Sequence, residues 1–69
     1  MSKILRIDVT EDYINGGHLA TLILDDVDCV CISLFGKIDY DSVLESVDNE
    51  IKYLGNITRS KFDTPVSWV

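Results

Sequence analysis

The sequence predicts an α+β fold: a three-stranded antiparallel β-meander followed by one α-helix packed on a sheet face, with room for a short C-terminal edge strand. Three observations predict it. The first half of the chain alternates apolar and polar residues with a period of two and breaks at Asn15-Gly16-Gly17 and at Asp25-Asp26. The second half holds apolar residues at spacings of three and four that stop at Gly55-Asn56. The chain has 69 residues, of which 46% are hydrophobic, which suits one small folded domain over residues 1–69 and excludes a disordered acidic tail. A domain of this size gains roughly 3–5 kcal/mol from its core, too little to sustain a large cavity.

Residues 3–10 form the first strand, with Leu5, Ile7 and Val9 on one face and Arg6, Asp8 and Thr10 on the other. Asn15, Gly16 and Gly17 then supply the positive φ angles that a tight hairpin turn needs. Residues 18–24 return as the second strand, with Leu19, Thr21 and Ile23 opposite Ala20, Leu22 and Leu24, so both sides look partly covered. Residues 27–35 form the third. Val27, Cys29, Cys31 and Phe35 lie on one face and Val30, Ile32 and Leu34 on the other, and apolarity on both faces places this strand centrally in the sheet.

Asp39 or Asp41 caps the helix, and Tyr40, Val43, Leu44, Val47, Ile51 and Leu54 form its buried face. Gly55-Asn56 ends it as a left-handed cap. Beyond it, residues 57–62 or 66–69 can add an edge strand, the one place in a sheet where Pro65 is tolerated.

Charge narrows the function classes. With 12 Asp and Glu against 6 Lys and Arg, the formal charge of −6 disfavours direct binding to nucleic acid, where affinity comes from cationic side chains that displace counterions. Anionic membrane surfaces are disfavoured for the same reason. A protein partner with a basic surface fits, including the nucleic-acid groove of an enzyme, because a negative field steers that association. The apolar run Leu22-Ile23-Leu24 ends at Asp25-Asp26 and no targeting segment is visible, so a cytoplasmic location is expected.

Candidate chemistry is sparse, and neither a catalytic constellation, a metal site nor a cofactor is expected. His18 follows the turn glycines with no local nucleophile or base, and reads as structural or solvent-facing. Gly16-Gly17 precedes no helix and no Lys-Ser pair, so it is a turn and not a phosphate loop. Asp25, Asp26 and Asp28 lack the spacing of a calcium loop and read as a solvated turn. Cys29 and Cys31 stand two apart on a strand with parallel side-chain directions, which favours two reduced thiols over a disulfide, and they read as small buried hydrophobes. Asn56-Ile57-Thr58 matches a glycosylation sequon without a secretion signal, and Ser67-Trp68-Val69 has the form of a groove-binding C-terminus, although Trp68 is expected to pack on the core or on a second subunit.

The acidic surface carries more. Asp41, Glu45 and Asp48 recur at helical spacing along one exposed stripe. In an up-down-up meander the first turn, with Glu11 and Asp12, lies at the same end as the helix start, with Asp39 and Asp41. Together these carboxylates are expected to form one patch, and carboxylates spaced along a rigid surface imitate part of a phosphate backbone. The leading expectation is therefore a non-enzymatic protein–protein interaction module, an inhibitor or adaptor. Glu11, Asp12, Asp39, Asp41, Glu45 and Asp48 would pair with Lys and Arg of the partner, and Tyr13 or Tyr40 would anchor. Compact acidic proteins of viruses and mobile elements that block nucleic-acid enzymes share this profile of size and charge, by analogy alone. The alternative is a homo-oligomer or accessory subunit that associates through an uncovered apolar sheet face, Ala20, Leu22 and Leu24 or Val30, Ile32 and Leu34. A small acid/base or metal enzyme would have only His18 and the acids at 25, 26 and 28 to work with.

Overall fold

A computed structural model describes residues 2–26, 29–59 and 64–68. In chain order the elements are β1 (Ser2–Glu11), β2 (His18–Leu24), β3 (Cys29–Leu34), α1 (Tyr40–Leu54), β4 (Ile57–Thr58) and β5 (Val66–Trp68). Strands β1 to β3 form the expected antiparallel meander, and the α+β class holds. Residues 27 and 28, assigned to the third strand from sequence, lie outside the described residues, as do residues 60–63 and 69.

Two antiparallel steps leave β3 parallel to β1. Because β4 and β5 also pair parallel to β1, the chain has to return across the sheet between β3 and β4, and α1 makes that return. The helix covers the face that carries Ile4, Ile7, Val9, Ala20, Leu22, Leu24, Ile32 and Leu34, all buried together with Val43 and Val47 of α1. Ala20, Leu22, Leu24, Ile32 and Leu34, with Val30 at their margin, are thus the domain's own core, which corrects their assignment to an uncovered face open to a second copy. The uncovered face presents Arg6, Asp8, Thr10, Leu19, Thr21, Ile23, Cys29, Cys31 and Ser33.

A second correction concerns Leu5, expected on the buried face with Ile7 and Val9. The β1–β2 pairing steps from Ile4–Leu24 directly to Arg6–Ile23, which leaves Leu5 as an extra residue without a partner. A bulge of this kind shifts the alternation by one. Ile4 and Ile7 consequently point into the core together, and Leu5 is 52% exposed.

The central strand is β1, flanked by β2 on one side and by β4 and β5 on the other, whereas β3 is an edge. The apolar outward face of β3 that argued for a central place consists of Cys29 and Cys31, and both are exposed free thiols. Their exposure also overturns the reading of them as buried hydrophobes: the helix covers only the face of Ile32 and Leu34. Both C-terminal segments add short edge strands. β4 lies against Ser2 and Lys3, and β5 against Ile7, Asp8 and Val9, so the interruption between them falls beside the bulge. Trp68 pairs with Val9 and stays half exposed.

The helix starts at Asp39, whose carboxylate accepts the Ser42 N–H at 2.8 Å, and ends at Gly55 with φ 75°, its N–H bonded to the Ile51 carbonyl. Val43 and Val47 are buried, and Leu44 and Ile51 pack at the margin. Tyr40 and Leu54, expected in the buried stripe, lie in the first and last turns beyond the sheet's cover and are 42% and 41% exposed. Two polar ties join α1 to the edge strands. The Tyr40 hydroxyl donates to the Thr64 carbonyl at 3.1 Å, and Arg59 grips Asp48 with two N–H groups, Nη2 to Oδ2 at 2.6 Å.

The cap yields a pH prediction. The Ser42 N–H holds the Asp39 carboxyl below the ordinary aspartate value of 3.8, and the Asn15 N–H does the same for Asp12. A carboxyl with a depressed folded-state pKa contributes stability that is fully present above its unfolded value and is lost as pH falls through the folded one. The melting temperature is expected to hold from pH 7 to about 4 and then drop. Asp12→Asn together with Asp39→Asn keeps hydrogen-bond acceptors but removes the titration. Melting curves of this pair should fall more gently with acid, and identical slopes would remove both groups from the account.

Candidate functional site

The candidate site is the end of the sheet where the first hairpin meets the start of the helix. Strand register brings these parts together: Glu11 pairs with His18, and His18 pairs with Leu34 at the end of β3. Contact continues into the loops. A Cβ built on Gly17 would lie 2.6 Å from the Leu34 carbonyl oxygen and 3.2 Å from the Phe35 ring. The hairpin loop, the β3 exit and the helix N-terminus thus form one end of the molecule.

Within the hairpin, Asp12 organises the loop. Its Oδ1 accepts the N–H groups of Ile14 and Asn15, both at 3.1 Å, and Oδ2 accepts from the Asn15 side-chain amide at 3.3 Å. The loop closes with Asp12 N–H on the Gly17 carbonyl and Gly16 N–H on the Asp12 carbonyl. This closure pushes Tyr13 and Ile14 outward, 88% and 93% exposed, and Phe35 across the contact is 72% exposed. Three large apolar side chains therefore face water at one end of a 69-residue chain. Glu11, through a hydrogen bond and its charge, raises the Tyr13 hydroxyl above its ordinary pKa.

The eight residues expected to bind a partner divide by what holds them. Asp12 shapes the loop, Asp39 caps the helix and pairs with Lys37 at 3.2 Å, Asp48 is gripped by Arg59, and the Tyr40 hydroxyl is committed to Thr64. Glu11, Tyr13, Asp41 and Glu45 are exposed without an ion pair to a described residue. The expected acidic stripe is accordingly shorter, since Asp48 carries its own counter-charge and lies a further turn away. Ile14 and Phe35 belong to this end and were not among the expected residues. The signal for Ile14 was its place just before Asn15-Gly16-Gly17, where an apolar side chain has no strand face to enter.

Elsewhere the carboxylates serve the fold. Asp25 accepts the Lys3 N–H at 3.0 Å and Asp26 accepts from the Ser2 hydroxyl, while Asp28 lies outside the described residues. Among the described residues no group of three or more His, Cys, Asp or Glu side chains converges, and no pocket is present. No described helix is long and apolar enough to cross a membrane. Comparison with protein-family models, with curated proteins and with solved structures found no significant match to this chain.

Proposed function

We propose that the chain is a non-enzymatic interaction module that binds another protein through its hairpin–helix end, as an inhibitor or adaptor occupying a basic surface. The observation that carries this reading is the exposure of three large apolar side chains, Tyr13, Ile14 and Phe35, at the hairpin and the β3 exit, together with the exposed carboxylates of Glu11 in the same hairpin and of Asp41 and Glu45 in the helix that follows. An exposed aromatic and aliphatic cluster with a charged rim is the usual composition of a binding surface: the apolar groups supply affinity on desolvation, and the charges supply steering and register. The net charge of −6 selects a basic partner, and the nucleic-acid groove of an enzyme is the surface of that kind most exposed to a negative field. Two free thiols at the surface suit the reducing cytoplasm.

Asp41→Lys with Glu45→Lys tests the electrostatic part, because both residues are exposed on α1 and neither supports the core. The immobilised chain is expected to capture a basic protein from extracts of its host cells at low salt, to lose most of it as salt is raised, and to lose it at all salt concentrations in the doubly reversed variant. The variant should keep the circular dichroism spectrum of the natural chain. Unchanged capture by that folded variant would rule out the acidic surface as the binding element. Tyr13→Ala with Ile14→Ala tests the apolar part, with weakened capture that salt does not mimic.

A further inference from the structure

We propose that the free edge of β3 is the site at which a second copy of this chain adds, strand to strand and antiparallel, so that one sheet runs through both copies. The inference is independent of the hairpin–helix reading and uses a different surface. It begins from the direction of the backbone groups. Ile7 N–H bonds to the Pro65 carbonyl on the β5 side, so alternate residues Arg6, Asp8 and Thr10 turn theirs toward β2. Following the register across, β2 bonds to β1 through Leu19, Thr21 and Ile23 and to β3 through His18, Ala20 and Leu22, which pair with Leu34, Ile32 and Val30. The N–H and C=O groups of Cys29, Cys31 and Ser33 are left pointing off the sheet.

The two edges of the sheet are managed differently. On the β1 side the edge is made of strands of two and three residues, interrupted and with Pro65 beside them, which is how proteins discourage edge pairing. The β3 edge has six residues, Cys-Val-Cys-Ile-Ser-Leu, with no charge, proline, glycine or bulge.

A second copy satisfies the geometry of this edge. A two-fold axis perpendicular to the sheet reverses the strand and keeps the same face up, so only registers that pair like faces are allowed. Centred on Cys31, the pairing sets Cys31 against Cys31 of the second copy and Cys29 against Ser33, small side chains on the open face, while Val30 meets Ile32 on the core face as a β-branched pair. All three outward residues then find outward residues.

Sedimentation of the reduced chain tests the association. It is expected to approach twice the 7.8 kDa chain mass as concentration rises to about 200 μM. A monomer throughout that range overturns the proposal. Disulfide trapping tests the register, because Cα atoms of a hydrogen-bonded antiparallel pair stand about 5.5 Å apart, within disulfide range. Diamide accepts the two protons and two electrons released when two thiols become one disulfide. With it, Cys29→Ser, which retains Cys31, should form covalent dimer at least about tenfold faster than Cys31→Ser, which retains Cys29 opposite a serine. Equal rates overturn the register. Cys31→Lys sets two ammonium groups opposite each other at an exposed position, and should remain folded and sediment as a monomer where the natural chain is half associated. A dimer undiminished by that change places the contact elsewhere.

Discussion

Leu22→Ala is expected to lower the free energy of unfolding by about 3 kcal/mol and to leave a readily measured fraction of molecules, up to about half, unfolded at room temperature. Leu22 is fully buried in the middle of β2, between Ile7 of β1 and Val30 of β3 in the same cross-strand row, in the core cluster that includes Val43 and Val47 of α1. Truncation removes the transfer free energy of the side chain and leaves a cavity bounded by two strands and a helix, none of which can close on it without losing its own pairing. In a domain whose whole stability is roughly 3–5 kcal/mol, that loss is most of the total. The control sits three residues away on the same strand. Leu19 faces the uncovered side and is only partly buried, so Leu19→Ala should cost less than about 1 kcal/mol. Urea titrations followed by far-ultraviolet circular dichroism measure both. Equal losses at the two positions would mean that the helix does not cover the face assigned to it.

What could be read in the sequence, and what could not, follows from how local each interaction is. The helix was legible because its determinants sit within a few residues of one another: Asp39 reaches Ser42, Gly55 reaches Ile51, and the repeat from Val43 to Val47 is one turn of one element. The first hairpin was legible for the same reason, with Gly16 and Gly17 both at positive φ where the turn was expected. Positions within the sheet were harder. Nothing near Leu5 marks it as an extra residue; its displacement is decided by β2, which skips it. The order of the strands depends on β4 and β5 arriving at β1 from the far end of the chain, and the charged face of β1 disguised its central place because Arg6 and Asp8 pair with each other at 3.0 Å on the uncovered side. Cys29 and Cys31 were misread because apolar composition on both faces of a strand was taken to mean cover on both faces, while this sheet has one helix for its two sides.

The candidate site divides along the same line. That Glu11, Asp12, Asp39 and Asp41 share one end followed from counting strand directions, which needs only the existence of the elements. How many of the expected carboxylates are available to a partner depended on contacts that spacing alone does not reveal, such as that of Asp48 with Arg59, eleven residues further on and on the other side of β4. A carboxylate already holding a guanidinium contributes little to an external field, so the effective charge of this end is set by Glu11, Asp12, Asp41 and Glu45, Asp12 accepting only neutral N–H groups.

Gly17→Ala is expected to destabilise the domain by about 3 kcal/mol, and Gly16→Ala, one residue earlier, by only about 1 kcal/mol. The backbone conformations are nearly the same, φ 75° at Gly17 and 79° at Gly16, so an L side chain is strained equally at both. Their surroundings differ. A Cβ at Gly16 meets nothing within 4 Å, whereas one at Gly17 would lie 2.6 Å from the Leu34 backbone oxygen, closer than real Cβ atoms approach any heavy atom. That oxygen belongs to the residue paired with His18 at the last rung between β2 and β3, so relief requires the rung itself to open. Opening it would move Phe35 away from the hairpin and loosen the chain between β3 and Asp39. The two variants therefore separate strain from contact. Urea midpoints for Gly16→Ala and Gly17→Ala that fall together would show that the hairpin and the β3 exit do not touch. A much lower midpoint for Gly17→Ala, with weaker capture of a basic partner by the folded fraction, would tie the geometry of this contact to the arrangement of Tyr13, Ile14 and Phe35 beside the helix start.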